Sequence, residues 1–159
     1  QDGLLDGLGE DFFENGQLEW RINWRDGKSN GLWEEFSENG QLLGIENYKE
    51  DELDGPVEYF YENGQLEERG NYKDGKPIGL WEFFYVNGQL EKRGNLEDRN
   101  KDGIWEYFHE NGQLWVKQDW REGKRYGVWG WFDENGQLDN TDYYINGKSV
   151  KRKRYLRRK

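Results

Sequence analysis

The chain has no cysteine, no methionine and no alanine, two prolines and one histidine in 159 residues. Without cysteine there is no disulfide, thiolate metal site or cysteine nucleophile. A single histidine, His109, lacks the companions that a zinc site or a nucleophile triad requires. The lack of alanine and methionine removes two good helix formers. No apolar run approaches the length of a membrane helix, and no signal-peptide pattern is present. Aliphatic residues are also scarce: Leu, Ile, Val and Phe make up 33 of the 159 residues, just above the level at which a highly charged chain is suspected of disorder. What restores order is the aromatic content of nine Trp, ten Tyr and eight Phe. Each buries a large area and suits a pleated surface, so the composition predicts an all-β protein.

The aromatics recur on a fixed period. Asn-Gly-Gln-Leu begins at Asn15, Asn39, Asn63, Asn87, Asn111 and Asn135, every 24 residues with no insertion or deletion. Such a period marks a stacked-repeat architecture, here six copies. "QDGLLDG" (Gln1 to Gly7) aligns with "KDGKPIG" (Lys73 to Gly79), so the sequence opens in mid-repeat, which predicts that further residues preceded Gln1 in a natural precursor.

Asn-Gly between apolar-rich runs predicts a β-hairpin with a two-residue type I′ turn. In the copy Gly79 to Asp102 this register pairs Phe84 with Glu91, Phe83 with Lys92, Glu82 with Arg93 and Trp81 with Gly94. Glu10–Arg21, Glu58–Arg69 and Glu106–Lys117 then also face each other as opposite charges. Trp81 is expected to cover Gly94, and Val57 to cover Gly70. A looser turn containing Asp-Gly joins successive hairpins, ending in a glycine that recurs at Gly7, Gly31, Gly55, Gly79, Gly103 and Gly127. Tight and loose turns in alternation give a meander. The expected fold is an array of six 24-residue β-hairpins, about twelve strands, in one extended, twisted antiparallel meander sheet.

Strand alternation puts Trp33, Val57, Trp81, Trp105 and Trp129 on one face, with Tyr59, Phe83, Tyr107 and Trp131, then Tyr61, Tyr85 and His109. The other face takes the Glu ladder and a Phe column. Charge divides the chain as well. Residues 1–147 hold all 33 acidic residues and 15 basic ones, a net of −18, whereas residues 148–159 hold eight basic residues and no acidic one. Residues 1–148 therefore read as the hairpin domain and 149–159 as a basic tail. Tyr155 and Leu156 align with Trp131 and Phe132, so the tail is expected to form a capping edge strand, with lysines that discourage edge-to-edge pairing.

The segment "YFYENGQLEERGNYKDGKPIGLWEFFY" and its sister copies resemble the MORN-repeat superfamily, and more closely its bacterial antitoxin-like variant, with the pattern "YxNGQL...YKDGKxxGxWxxY". The resemblance runs from about Asp2 to Lys148. Gly9 and Val57 depart from it in the Trp column, and "EDRNKDG" lacks the mid-loop glycine. It implies a hairpin-repeat fold without catalytic residues, and for the bacterial variant an antitoxin or immunity role.

No catalytic, cofactor or metal residue is expected. Neighbouring rungs of the Glu ladder stand ~10 Å apart, too far for one metal or a carboxylate pair. The residues expected to contact a protein partner are Tyr59, Tyr61, Phe83, Tyr85, Tyr107, His109 and Trp131, because aromatic patches with charged margins mark interfaces. Those expected to contact an anionic surface are Lys151, Arg152, Lys153, Arg154, Arg157 and Arg158. The acidic body opposes nucleic acid. Three readings remain open: a module that sequesters a protein partner such as a basic toxin, as an antitoxin does; a structural or cell-surface scaffold; and a membrane-associated scaffold using the tail. A bacterial cytoplasmic protein and a processed secreted form are both compatible with this start.

Overall fold

A computed structural model describes residues 3–154, and Tyr155, Leu156, Arg157 and Arg158 lie outside the described residues. Every regular element among the described residues is a strand. These are β1 (Gly7–Phe12), β2 (Leu18–Arg25), β3 (Lys28–Phe36), β4 (Leu42–Lys49), β5 (Glu52–Leu53), β6 (Gly55–Phe60), β7 (Leu66–Lys73), β8 (Lys76–Phe84), β9 (Leu90–Glu97), β10 (Asn100–Phe108), β11 (Leu114–Arg121), β12 (Lys124–Phe132), β13 (Leu138–Ile145) and β14 (Lys148–Arg154). They form an open antiparallel meander sheet in chain order, with β5 off the path and paired to β4 alone. The two strands beyond the expected twelve are β14 and the short β5. The chain gathers into two compact units, Gln1–Pro77 and Ile78–Lys159, described separately below.

The turn types are the reverse of those the sequence predicts. At Asn87-Gly88 the Gly88 N–H donates to Tyr85 O at 2.8 Å and the Tyr85 N–H to Gln89 O at 2.8 Å, and the same pair of bonds recurs at all six NGQL sites. Gly88 sits at φ 82°, whereas no NGQL asparagine has positive φ. This is a three-residue loop, a type I turn followed by a left-handed glycine, and not a type I′ turn. Glycine serves either geometry. The asparagine decides, because its Oδ1 accepts the Gln89 N–H at 2.9 Å and so caps the turn from the non-left-handed conformation. The type I′ turns instead occupy the connections expected to be loose: Asp74 and Gly75 have φ of 47° and 70°, and Asp98 and Arg99 of 48° and 67°.

The extra loop residue shifts the register, so Phe84 pairs with Leu90 and not with Glu91, yet Phe83 still pairs with Lys92, Glu82 with Arg93 and Trp81 with Gly94. A bulge at Glu91 absorbs the shift. All six hairpins repeat this compensation, with Glu19, Leu43, Glu67, Glu91, Trp115 and Asp139 as the bulged residues. Because the two irregularities cancel, the expected charge pairs Glu10–Arg21, Glu58–Arg69 and Glu106–Lys117 do face each other.

In the second unit the core is the column Trp81, Trp105 and Trp129, flanked by Val116 and Tyr144, each at most 6% exposed. The indole N–H of Trp105 donates to Asn95 O at 2.9 Å, and that of Trp129 to Asp119 O at 3.0 Å. Gly94 is covered by Trp105 of the next hairpin as well as faced by Trp81; the Trp105 indole lies so close that it fills the place of a Cβ. In the first unit Ile22 and Val57 are buried in the same way, with Val57 paired to Gly70.

Candidate functional site

The polar chemistry of the first unit centres on Glu46. It is 9% exposed, and its two carboxylate oxygens accept from the Tyr48 hydroxyl at 2.6 Å and from the Tyr59 hydroxyl. Burial first, and then the hydrogen bond to Glu46 and its charge, push both phenols above their ordinary range. Tyr59 is thus occupied in holding a buried carboxylate. Tyr61 stands at the neighbouring NGQL turn, where its carbonyl accepts the Gly64 N–H.

In the second unit the aromatic face holds the chain's own cations. Lys101 Nζ lies 4.5 Å from the Trp105 ring centroid and 5.1 Å from those of Tyr107 and Trp120, and it donates to the Tyr107 hydroxyl. Desolvation lowers the pKa of this ammonium. Arg125 lies over Trp129 at 4.9 Å and Tyr144 at 5.5 Å, and Lys92 over Phe83 at 4.3 Å. Trp131 packs on Trp129 with ring centroids 6.1 Å apart. Phe83, Tyr107 and Trp131 are therefore all engaged within the unit.

Tyr85 and His109 are placed differently. The Tyr85 hydroxyl donates to Phe108 O at 2.8 Å, and His109 Nε2 lies 3.3 Å from Phe132 O, so each reaches from its own turn to the next hairpin. Asn111 Nδ2 adds a third bridge, donating to Glu134 O at 3.1 Å. Between these turns lies an open recess of about 680 Å³, walled by Tyr85, Phe108, His109 and Trp115 and edged by Glu110, Asn111 and Glu134. Trp115 is 47% exposed, with its ring 6.0 Å from that of His109. The sequence reading missed Trp115 because strict alternation does not predict a bulge. The available signal was its departure from the acidic or aliphatic residues at the same position in the other copies.

No cluster of metal-binding side chains occurs among the described residues. The MORN repeat variant matches residues 29–50, 53–74, 77–98, 101–122 and 125–146. The chain belongs to the MORN repeat variant family. MORN repeats are a non-enzymatic module, commonly protein- or membrane-binding. No curated protein matches the chain. Among solved structures, the crystal structure of TarM is similar over 77% of this chain and 20% of that one, at 17% identity and a TM-score of 0.31. The chain thus matches a fifth of that protein's length.

In MORN terms, the first position of successive matched segments holds Ser29, Leu53, Pro77, Lys101 and Arg125, so at this position the last two copies alone carry a cation. On the opposite face the Glu ladder is ion-paired: Arg93 contacts Glu106 at 2.9 Å, Lys117 contacts it at 3.6 Å, and Arg21 pairs with Glu34. That face also shows an aliphatic row that the sequence reading did not single out, with Leu80, Ile104 and Val128 exposed in the second unit. Toward β9, Gly103 (φ 69°) and Ile104 find no opposite residue between the Asp102–Asn95 and Trp105–Gly94 pairs, whereas toward β11 they pair with Trp120 and Asp119. A bulge of this kind re-aims the Ile104 side chain, which is 43% exposed. On β14, Lys151, Arg152 and Lys153 are exposed, and Arg152 Nε approaches Asp142 at 3.5 Å.

Proposed function

We propose that this MORN-repeat chain is a non-catalytic module that binds a basic protein partner and acts by stoichiometric occlusion, in the manner of an antitoxin or immunity protein. The observation that carries this reading is the recess between the hairpin turns, where exposed Trp115 and bridged Tyr85 and His109 meet the carboxylates of Glu110 and Glu134. Exposed aromatic anchors ringed by charge are the composition of binding hot spots. The formal net charge of −10 speeds encounter with a positive partner. Phe83, Tyr107 and Trp131 in the second unit, and Tyr59 and Tyr61 in the first, belong to the proposal as ring edges that a partner can cover around their internal contacts, each within its own unit, and the basic strand β14 belongs to it as a cap. The test is affinity capture from the source cells at low and moderate salt, with wild-type and Tyr85→Ala baits. One stoichiometric basic protein, lost with Tyr85→Ala, supports the reading, whereas capture of nothing specific replaces it with a structural scaffold.

A second reading rests on β14, where exposed Val150 lies beside Lys151, Arg152 and Lys153. An apolar residue among cations suits an anionic membrane surface. Flotation with phosphatidylserine vesicles at low salt decides it: no co-flotation removes this reading.

A further inference from the structure

We infer that the recess formed by Tyr85, His109 and Trp115 is a guanidinium pocket, which takes an arginine side chain of the partner between its rings and the carboxylates of Glu110 and Glu134. This inference rests on the protein-binding reading and gives its site a chemistry.

Three observations converge on it. The first is internal comparison. The position of Trp115 is Glu19, Leu43, Glu67, Glu91 or Asp139 in the other copies, and that of His109 is Phe13, Ser37, Tyr61, Tyr85 or Asp133. The fifth copy alone places a tryptophan at the bulge and a histidine at the turn, and the two rings meet at 6.0 Å. A bulge re-aims a side chain, and here it presents an indole that is 47% exposed. Its exposure contributes little to the core.

The second is preorganisation. Tyr85 to Phe108 O, His109 to Phe132 O and Asn111 to Glu134 O tie three successive turns together. The walls therefore need little ordering when a ligand enters. The third is chemistry. Flat aromatic rings beside carboxylates suit a planar cation that can stack and fork its donors at once, as arginine does and lysine does not. Lys101 and Arg125 already occupy the aromatic positions elsewhere in the unit, whereas no lysine or arginine of the described chain lines this recess. The nearest such contact is Arg93, 5.8 Å from the Phe108 ring centroid and away from Tyr85, His109 and Trp115 in the contacts it makes. At about 680 Å³ it exceeds a single side chain, leaving room for the flanking backbone of an extended segment.

The test is an NMR titration of the full chain with tri-arginine amide, against tri-lysine amide and tri-citrulline amide, following indole and imidazole resonances. Tri-arginine should shift Trp115 and His109 saturably, roughly fivefold tighter than tri-lysine, with tri-citrulline inert. Trp115→Glu should weaken tri-arginine by roughly tenfold, although it adds a negative charge. The bulge already holds Glu at three other copies, so this variant keeps the fold. Glu134→Gln should weaken binding, and Glu38→Gln, the same turn position in the first unit, should not. Equal affinity for tri-lysine, shifts spread along the acidic ladder, or tighter binding by Trp115→Glu overturns the pocket in favour of general electrostatics. Sedimentation that shows a dimer dispersed by Trp115→Glu overturns it in favour of a second copy of the chain. If Trp115 stays unmoved while the captured partner is still retained, this inference falls and the binding reading stands. If no partner is captured either, both fall.

Discussion

Replacing Gly94 with alanine puts the repeat packing to its sharpest test. In an ordinary strand this change is mildly stabilising, by roughly 0.5–1 kcal/mol, because glycine loses more conformational freedom on folding. Here the new methyl would enter the volume of the Trp105 indole, which is 2% exposed and tied to Asn95 O at 2.9 Å. Overpacking a tight core costs about 1–3 kcal/mol. Displacing the indole also endangers a hydrogen bond worth ~1 kcal/mol. The balance is a loss of about 2 kcal/mol, which at an m-value of ~2 kcal/mol/M lowers the urea midpoint by about 1 M. Urea melts followed by far-UV circular dichroism measure it. The control is Trp105→Val, which copies the small residue this chain carries at Val57, itself 1% exposed. In that background Gly94→Ala should be harmless, giving a coupling of at least ~1 kcal/mol in the double-mutant cycle. A Gly94→Ala midpoint that is unchanged or raised would refute the claim that Trp105 needs bare backbone beneath it.

Three further predictions concern stability. Arg99 holds φ 67° in a type I′ turn without the usual glycine, so Arg99→Gly should stabilise the chain by about 0.5–1 kcal/mol in the same urea assay. Tyr59→Phe strips a donor from buried Glu46 and should cost about 1–3 kcal/mol, with Tyr59→Phe/Glu46→Leu recovering part of the loss. Asp51 accepts the Ser29 N–H at 2.7 Å and the Ser29 hydroxyl at 2.9 Å, and these bonds hold its carboxyl below the usual range. A depressed pKa contributes stability that is present above the unfolded value and lost as pH falls through the folded one. Ser29→Ala should therefore raise the Asp51 pKa in a carboxyl NMR titration and move acid unfolding to higher pH; an unmoved Asp51 would contradict the geometry.

Much of the fold was legible because its signals are local and repeated. Six copies of Asn-Gly-Gln-Leu located the hairpins, and opposite charges at Glu82 and Arg93 fixed a register that the strands keep. The turn type was not legible, since Asn-Gly suits both geometries and only the Asn87 Oδ1 bond to Gln89 separates them. The error stayed small because the bulge at Glu91 restores the pairing at Phe83. The site was legible in part. Tyr85 and His109 stood out as variable turn residues, whereas Trp115 sits on a bulge that alternation does not foresee. Tyr59 and Tyr107 looked available as aromatic surface. Their roles depend on Glu46, 13 residues away and brought to Tyr59 by the pairing of β4 with β6, and on Lys101, six residues before Tyr107 on the same strand and across the Gly103–Ile104 bulge.

The sequence by itself determined the architecture. A period of 24 residues, the abundance of aromatics and glycines at fixed offsets leave an antiparallel meander as the way to bury a tryptophan column. Tertiary structure decided which of the many aromatic side chains the fold consumes. Lys101 and Arg125 lie over five rings of the second unit and Glu46 takes two hydroxyls of the first, because charged groups in half-buried surroundings seek ring faces and hydroxyls. Where three turns are tied together and a bulge turns Trp115 outward, a ring surface is left exposed. That division depends on side chains meeting across paired strands and across bulges within a strand, which strict alternation along the sequence does not encode.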